Sequence, residues 1–282
     1  MKRLLRWAGL GLASLVTVVL CATLGAFAAS ELMIRRSYPK AQVRIVAAAE
    51  PQAVARGRRL AVLNGCHDCH GEAFEGRLFH DEMPLLRAWG PNLTLAAAEQ
   101  TDADLDRAIR KGVAADGHTL WVMPSEAFAR LTDAEAADLL AYIRSFPVTG
   151  ERQPRLQVGP MGRVGVLLGK FDSAPAMLKK EGAVQLPFVG PEHEAGRDVA
   201  RTCIECHGPA LEGREILKAP DLAIAASYDL ADFETLMRTG VAAGGREVGL
   251  MSGASRTRFH ALSAAEVKAL HDYLRARADK VL

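Results

Sequence analysis

Two pentads carry the chemistry open to this chain: Cys66-His67-Asp68-Cys69-His70 and Cys203-Ile204-Glu205-Cys206-His207. In each, two cysteines three residues apart on a turn of helix present their sulfurs to the same side of a ligand. Both can then close thioethers onto the vinyl groups of one porphyrin. The histidine that follows falls under the iron and can coordinate it. Paired cysteines serve two other chemistries. A thioredoxin-like redox pair needs no histidine after it, and a zinc site asks for four protein ligands. Two such pentads in matching contexts favour haem c.

With 282 residues the chain has room for more than one domain, yet only 6% of it is aromatic. Two haems would supply flat apolar bodies for cores that are otherwise short of them. The formal net charge of +2 excludes the cofactors; propionates and iron bring the loaded chain to about neutral, which suggests no nucleic-acid partner. Four of the five cysteines lie in the pentads, so only Cys21 is left and no pair remains for a disulfide.

The elements that must position these groups form an internal repeat. Ala55 to Leu63 reads as a helix leading into the first pentad, and Glu194 to Ala200 does the same for the second. Ala103-Asp104-Leu105 through Gly112-Val113 matches Ala231-Asp232-Phe233 through Gly240-Val241, with Thr101/Asp104 and Asp229/Asp232 as helix-start signals. Thr132 with Glu135 and Ser263 with Glu266 form capping boxes. They open closing helices whose apolar positions, Leu139, Leu140, Tyr142 and Ile143, and Val267, Leu270, Tyr273 and Leu274, recur at helical spacing.

The repeats are not identical. The first carries about eight extra residues between Arg77 and Pro91, including Leu78, Phe79, Met83, Leu85, Leu86 and Trp89. This insertion is expected to shield a haem edge, dock a partner or pack over its own domain. Val148 to Gly190 reads as a long linker in which Gly165 to Leu168 packs on a domain.

Ahead of the repeats, Lys2, Arg3 and Arg6 precede an uncharged run, Ala8 to Ala29, that would rise about 33 Å as a helix. It reads as a transmembrane anchor with its N-terminus inside, although Arg35, Arg36 and Lys40 blur the charge asymmetry. The alternative is a cleaved signal peptide with Ala26-Phe27-Ala28 at the cleavage site; the apolar run is long for that. The resulting layout is an anchor over 1–30, a spacer over 31–52, haem domains over 53–150 and 191–282, and an inter-domain linker over 151–190.

The remaining ligands come from the repeat as well. Met123, in Trp121-Val122-Met123-Pro124, and Met251, in Gly249-Leu250-Met251-Ser252, lie equally far beyond Gly112 and Gly240, in expected loops. Each is the candidate sixth ligand opposite His70 or His207, with His118 and His260 as competitors. Met83, Met161, Met177 and Met237 are expected as packing, and His67, His80, His193 and His271 at the surface. Gly90-Pro91-Asn92-Leu93 and Ala219-Pro220-Asp221-Leu222 occupy matching places, so the carbonyls of Pro91 and Pro220 are the expected acceptors for the proximal histidines' second N–H. Trp121 is the expected donor to a propionate, with no counterpart at Gly249.

On these motifs, over residues 53 to 282, the chain resembles membrane-anchored di-haem cytochromes c with two tandem class I cytochrome c domains. The resemblance implies all-α domains, two covalently bound haem c groups and location in the periplasm at the bacterial inner membrane. It also implies single-electron shuttling between a dehydrogenase or quinol-oxidising complex and a terminal oxidase or soluble cytochrome. The chain then has no catalytic residue of its own. A di-haem peroxidase needs one open iron, which methionine at both sites argues against. A gas sensor or a structural subunit of a larger complex is a third class.

Overall fold

The computed structural model describes residues 2–39 and 44–281; Lys40 lies outside them. The first helix, α1 (Lys2–Ile34), is exposed along nearly its whole length. Its stretch Arg6–Ile34 contains an 18-residue window with a mean hydropathy of 2.2, none of it buried, so it is long and apolar enough to cross a bilayer. The described residues on either side of 40–43 run along the first unit rather than away from it. Tyr38 donates its N–H to the Gly117 carbonyl at 3.0 Å, and Ala48 does so to Ala137 at 3.0 Å.

The same helix crossing holds both units. In the first, α2 (Pro51–Leu63) leads into the short α3 (Cys66–His70). A hairpin of β1 (Arg77–Glu82) and β2 (Leu86–Gly90) follows, then α4 (Leu93–Glu99), α5 (Asp102–Lys111), α6 (Ser125–Phe128) and α7 (Asp133–Arg144). Helix α7 crosses α2 so closely that a Cβ on Gly57 would lie 2.0 Å from the Asp138 carbonyl oxygen. The second unit has α10 (Glu194–Val199) and α11 (Ile204–His207) for its pentad, then α12 (Leu230–Thr239), α13 (Leu250–Thr257) and α14 (Ala264–Val281). There Gly196 meets the Ala269 carbonyl of α14 at the same 2.0 Å. Only glycine permits either approach.

The expected caps are in place. Thr101 and Asp104 form a reciprocal capping box on α5, as do Thr132 and Glu135 on α7. Ser263 and Glu266 make the same exchange at the head of α14. Each of the two closing-helix glutamates is also gripped from the other unit: Arg201 reaches Glu135 at 2.7 Å, and Arg59 reaches Glu266 at 2.7 Å. The two units are thereby tied at both helix starts.

Two regions depart from expectation. The insertion is a β-hairpin, and β2 also pairs with β3 (Gln157–Val158) of the linker. The linker itself carries α8 (Pro160–Leu167) and α9 (Ala174–Glu181), each started by a proline in its first turn. Val166 is buried as expected, whereas Leu167 and Leu168 are exposed.

Candidate functional site

Left-handed residues shape both pentads. Gly65 (φ +64°) turns the chain from α2 into α3, and Gly71 (φ +86°) and Gly208 (φ +83°) follow the two histidines. Four residues beyond each histidine a buried non-glycine residue takes the left-handed region: Phe74 (φ +58°) and Leu211 (φ +66°). Such a conformation costs about 1–3 kcal/mol and persists only where surroundings enforce it. Here the same bonds do so twice. Gly76 and Gly213 donate to the His70 and His207 carbonyls at 2.8 Å; Leu93 and Leu222 donate to the Phe74 and Leu211 carbonyls at 2.8 and 2.9 Å. The latter pair draws the proline segment against the histidine.

His70 Nδ1 lies 2.9 Å from the Pro91 carbonyl oxygen, and His207 Nδ1 lies 2.8 Å from that of Pro220. A carbonyl only accepts, so Nδ1 carries the proton and Nε2 keeps its lone pair. Neither Nε2 has a hydrogen-bond partner among the described residues. Burial pushes both imidazoles below their ordinary pKa, with the proline carbonyl acting in the opposite sense. Both rings are therefore neutral at physiological pH, as a metal ligand must be.

The next residue holds each proline. Asn92 accepts from the N–H groups of Thr94 (3.0 Å) and Leu95 (3.2 Å) and donates to the Thr149 carbonyl at 2.6 Å. Asp221 accepts from the Ala223 N–H and from Arg277, both at 2.7 Å. The Phe74/Leu211 turn and these caps were not singled out from the sequence. Their signal was present, since Glu75-Gly76 and Glu212-Gly213 recur at one spacing after the histidines.

The two cysteines of each pentad are not joined in a disulfide. Burial pushes Cys66 and Cys203 up to about 12 and Cys69 up to about 11, and it raises Cys206 too. A redox pair needs the opposite shift. Among the described residues no three His, Cys, Asp or Glu side chains gather as a metal cage, so the donor set does not suit zinc either. It does suit haem c. Met123 packs on the apolar cluster that also takes Cys66, and Met251 packs on the one that contains Cys203 and Ile204. In each unit an apolar cluster thus takes a pentad thiol and a thioether, and the pentad's imidazole keeps a free nitrogen.

Several residues lie elsewhere than expected. Met251 stands in the first turn of α13 rather than in a loop. Trp121 gives its indole N–H to the Ile34 carbonyl at the end of α1, 3.2 Å away, so that donor is engaged with the protein. His118 is hydrogen-bonded through Nδ1 to Asp116, and His260 is exposed. His271 is buried, with Nε2 at 3.0 Å from the Tyr228 carbonyl, and His67 stacks on Phe74. Met237 is packed, whereas Met83 and Met161 are exposed.

The sequence model of the cytochrome c family matches residues 54–147 and again residues 193–278, well over half of the chain, and the chain belongs to that family. Membership implies covalently bound haem c and a role in electron transfer. The cytochrome subunit of fructose dehydrogenase from Gluconobacter japonicus is 27% identical over 267 residues, which cover 82% of this chain and 54% of that protein. The chain spans about half the length of this curated relative.

Proposed function

We propose that the chain is a membrane-anchored di-haem cytochrome c, held by α1 in the bacterial inner membrane with both haem domains in the periplasm. It passes single electrons from a dehydrogenase or quinol-oxidising complex to a terminal oxidase or soluble cytochrome. The layout proposed is the anchor at 1–30, haem domains at 53–150 and 191–282, and a structured connection over 151–190. Likeness to the cytochrome subunit of a dehydrogenase supports the role of electron-accepting subunit beside a catalytic partner. Haem, when bound, supplies an iron that changes oxidation state with its ligands in place.

The chain's own residues do the rest. Cys66 with Cys69, and Cys203 with Cys206, fix each porphyrin by thioethers. His70 and His207 offer Nε2 as proximal ligands, kept in orientation and basicity by the Pro91 and Pro220 carbonyls. Met123 and Met251 would supply the remaining protein ligand to each iron, and an iron so filled would leave no position for a substrate. The observation that carries this reading is the duplicated histidine-to-proline hydrogen bond, at 2.9 and 2.8 Å.

The test is replacement of each methionine singly. Met123→Ala should lower the potential of one haem and open it to cyanide, while the other stays unchanged; Met251→Ala should do the same to the second. A variant whose spectrum and potential do not move would assign the sixth ligand to another residue. Rapid cyanide binding by the unaltered ferric protein would favour the peroxidase instead.

A further inference from the structure

Helix α8 is apolar on both its inner and its outer side, which does not suit a linker segment in water. Its inner side, Gly162 and Val166, is buried. Its outer side presents Met161 (61% exposed), Val164 (54%) and the following Leu168 (68%), at the spacing of a single helical face. The hairpin tip extends this face. Gly159 donates to the Leu85 carbonyl at 2.9 Å and Met161 to that of Pro84 at 3.2 Å, beside the exposed Met83.

Where this face sits decides what covers it. Arg163 of α8 reaches Glu31 at 2.7 Å and Ser30 Oγ at 3.0 Å, and its guanidinium lies 4.0 Å from the ring centroid of Phe27. Its charge is thus satisfied against α1. From Ala8 to Phe27 a helix rises about 29 Å, close to the thickness of a bilayer's hydrocarbon core. Arg163 therefore pins α8 to α1 at the level where the apolar run emerges. Exposed Phe27, Leu32 and Met33 continue the apolar surface there. Lys170, just past α8, is an exposed cation.

We propose that α8 and the β1–β2 tip form a second membrane contact, an apolar shelf resting in the lipid interface beside α1. The inference depends on α1 being an anchor. A short amphipathic helix in that plane buries its apolar face about 5–10 Å into the headgroup boundary. Together with α1 it would hold the first unit at one fixed tilt instead of letting it swing.

The test uses the full haem-loaded chain in vesicles of phosphatidylethanolamine and phosphatidylglycerol, with Cys21→Ala removing the free thiol. Nitroxide labels go on Val164→Cys and Leu168→Cys, with Leu12→Cys in α1 and Lys179→Cys in α9 as references. Labels at 164 and 168 should collide several-fold more with lipid-dissolved oxygen than with a water-soluble nickel complex, as at 12 and unlike 179. Labels at 164 and 168 that behave like 179 while 12 is in lipid would overturn the shelf alone. Protection of 164 and 168 only in native membranes would assign the face to a protein partner and also overturn it. A label at 12 in water would sink the anchor, and the shelf with it.

Discussion

Asp68 and Glu205 occupy the same place in the two pentads, and one guanidinium holds both: Arg258 donates to Asp68 at 2.7 Å and to Glu205 at 2.7 Å. The loops that carry the cysteines therefore face each other across a single, largely buried arginine. The two carboxylates raise the Arg258 pKa further despite its burial, so it is charged at any working pH.

Replacing Arg258 with Met should cost about 2 kcal/mol, less than for a fully buried pair because Asp68 keeps contact with water. It leaves two like charges facing each other. Arg258→Lys should recover only part, since an ammonium does not fork between two carboxylates as a guanidinium does. Urea unfolding of the haem-loaded chain checks both.

Glycine at the helix crossings allows a sharper contrast. Gly57→Ala or Gly196→Ala sets a Cβ 2.0 Å from a backbone oxygen and should cost about 3 kcal/mol or block folding. Gly253→Ala, in α13 with nothing within 4 Å, should be neutral or stabilise by up to about 1 kcal/mol. Thermal unfolding of the three variants distinguishes a packing role from a general intolerance of substitution.

Asn92 both caps α4 and steadies Pro91. Asn92→Ala should cost about 1–2 kcal/mol. By loosening the carbonyl on His70 it should also make that ligand less basic and raise the potential of one haem only. Redox titration showing both haems shifted, or neither, would detach Asn92 from His70.

Acid should loosen the joint between units. Burial alone would raise the carboxyls of Glu135 and Glu266, but Arg201 and Thr132 hold the first below its usual range, and Ser263 and Arg59 hold the second there. A depressed folded pKa gives stability that is present above the unfolded value, about 4.3, and is lost as pH falls through the folded one. Stability should therefore decline below about pH 4.5. The double variant Glu135→Gln, Glu266→Gln should flatten that part of the curve, as read by thermal unfolding against pH.

Much of this was legible because it is local and repeated. The pentads, the capping boxes at Thr132 and Ser263 and the proline segments are short patterns whose partners lie a few residues away. What escaped was set by distant contacts. Nothing near Arg258 signals Asp68, and the hairpin gains a third strand only because Val158 of the linker lies opposite Leu86. Met251 reads as a loop residue because it lies between the helix end at Gly240 and the cap at Ser263, yet Ser252 donates to the Gly240 carbonyl at 2.5 Å and tethers the start of α13. His271 read as a surface residue; the Tyr228 carbonyl that satisfies it comes from another segment.

The most direct measurement is the mass of the two peptides that span 66–70 and 203–207, taken from the mature protein. The account predicts one haem thioether-linked to each. Unmodified thiols in either peptide would contradict it.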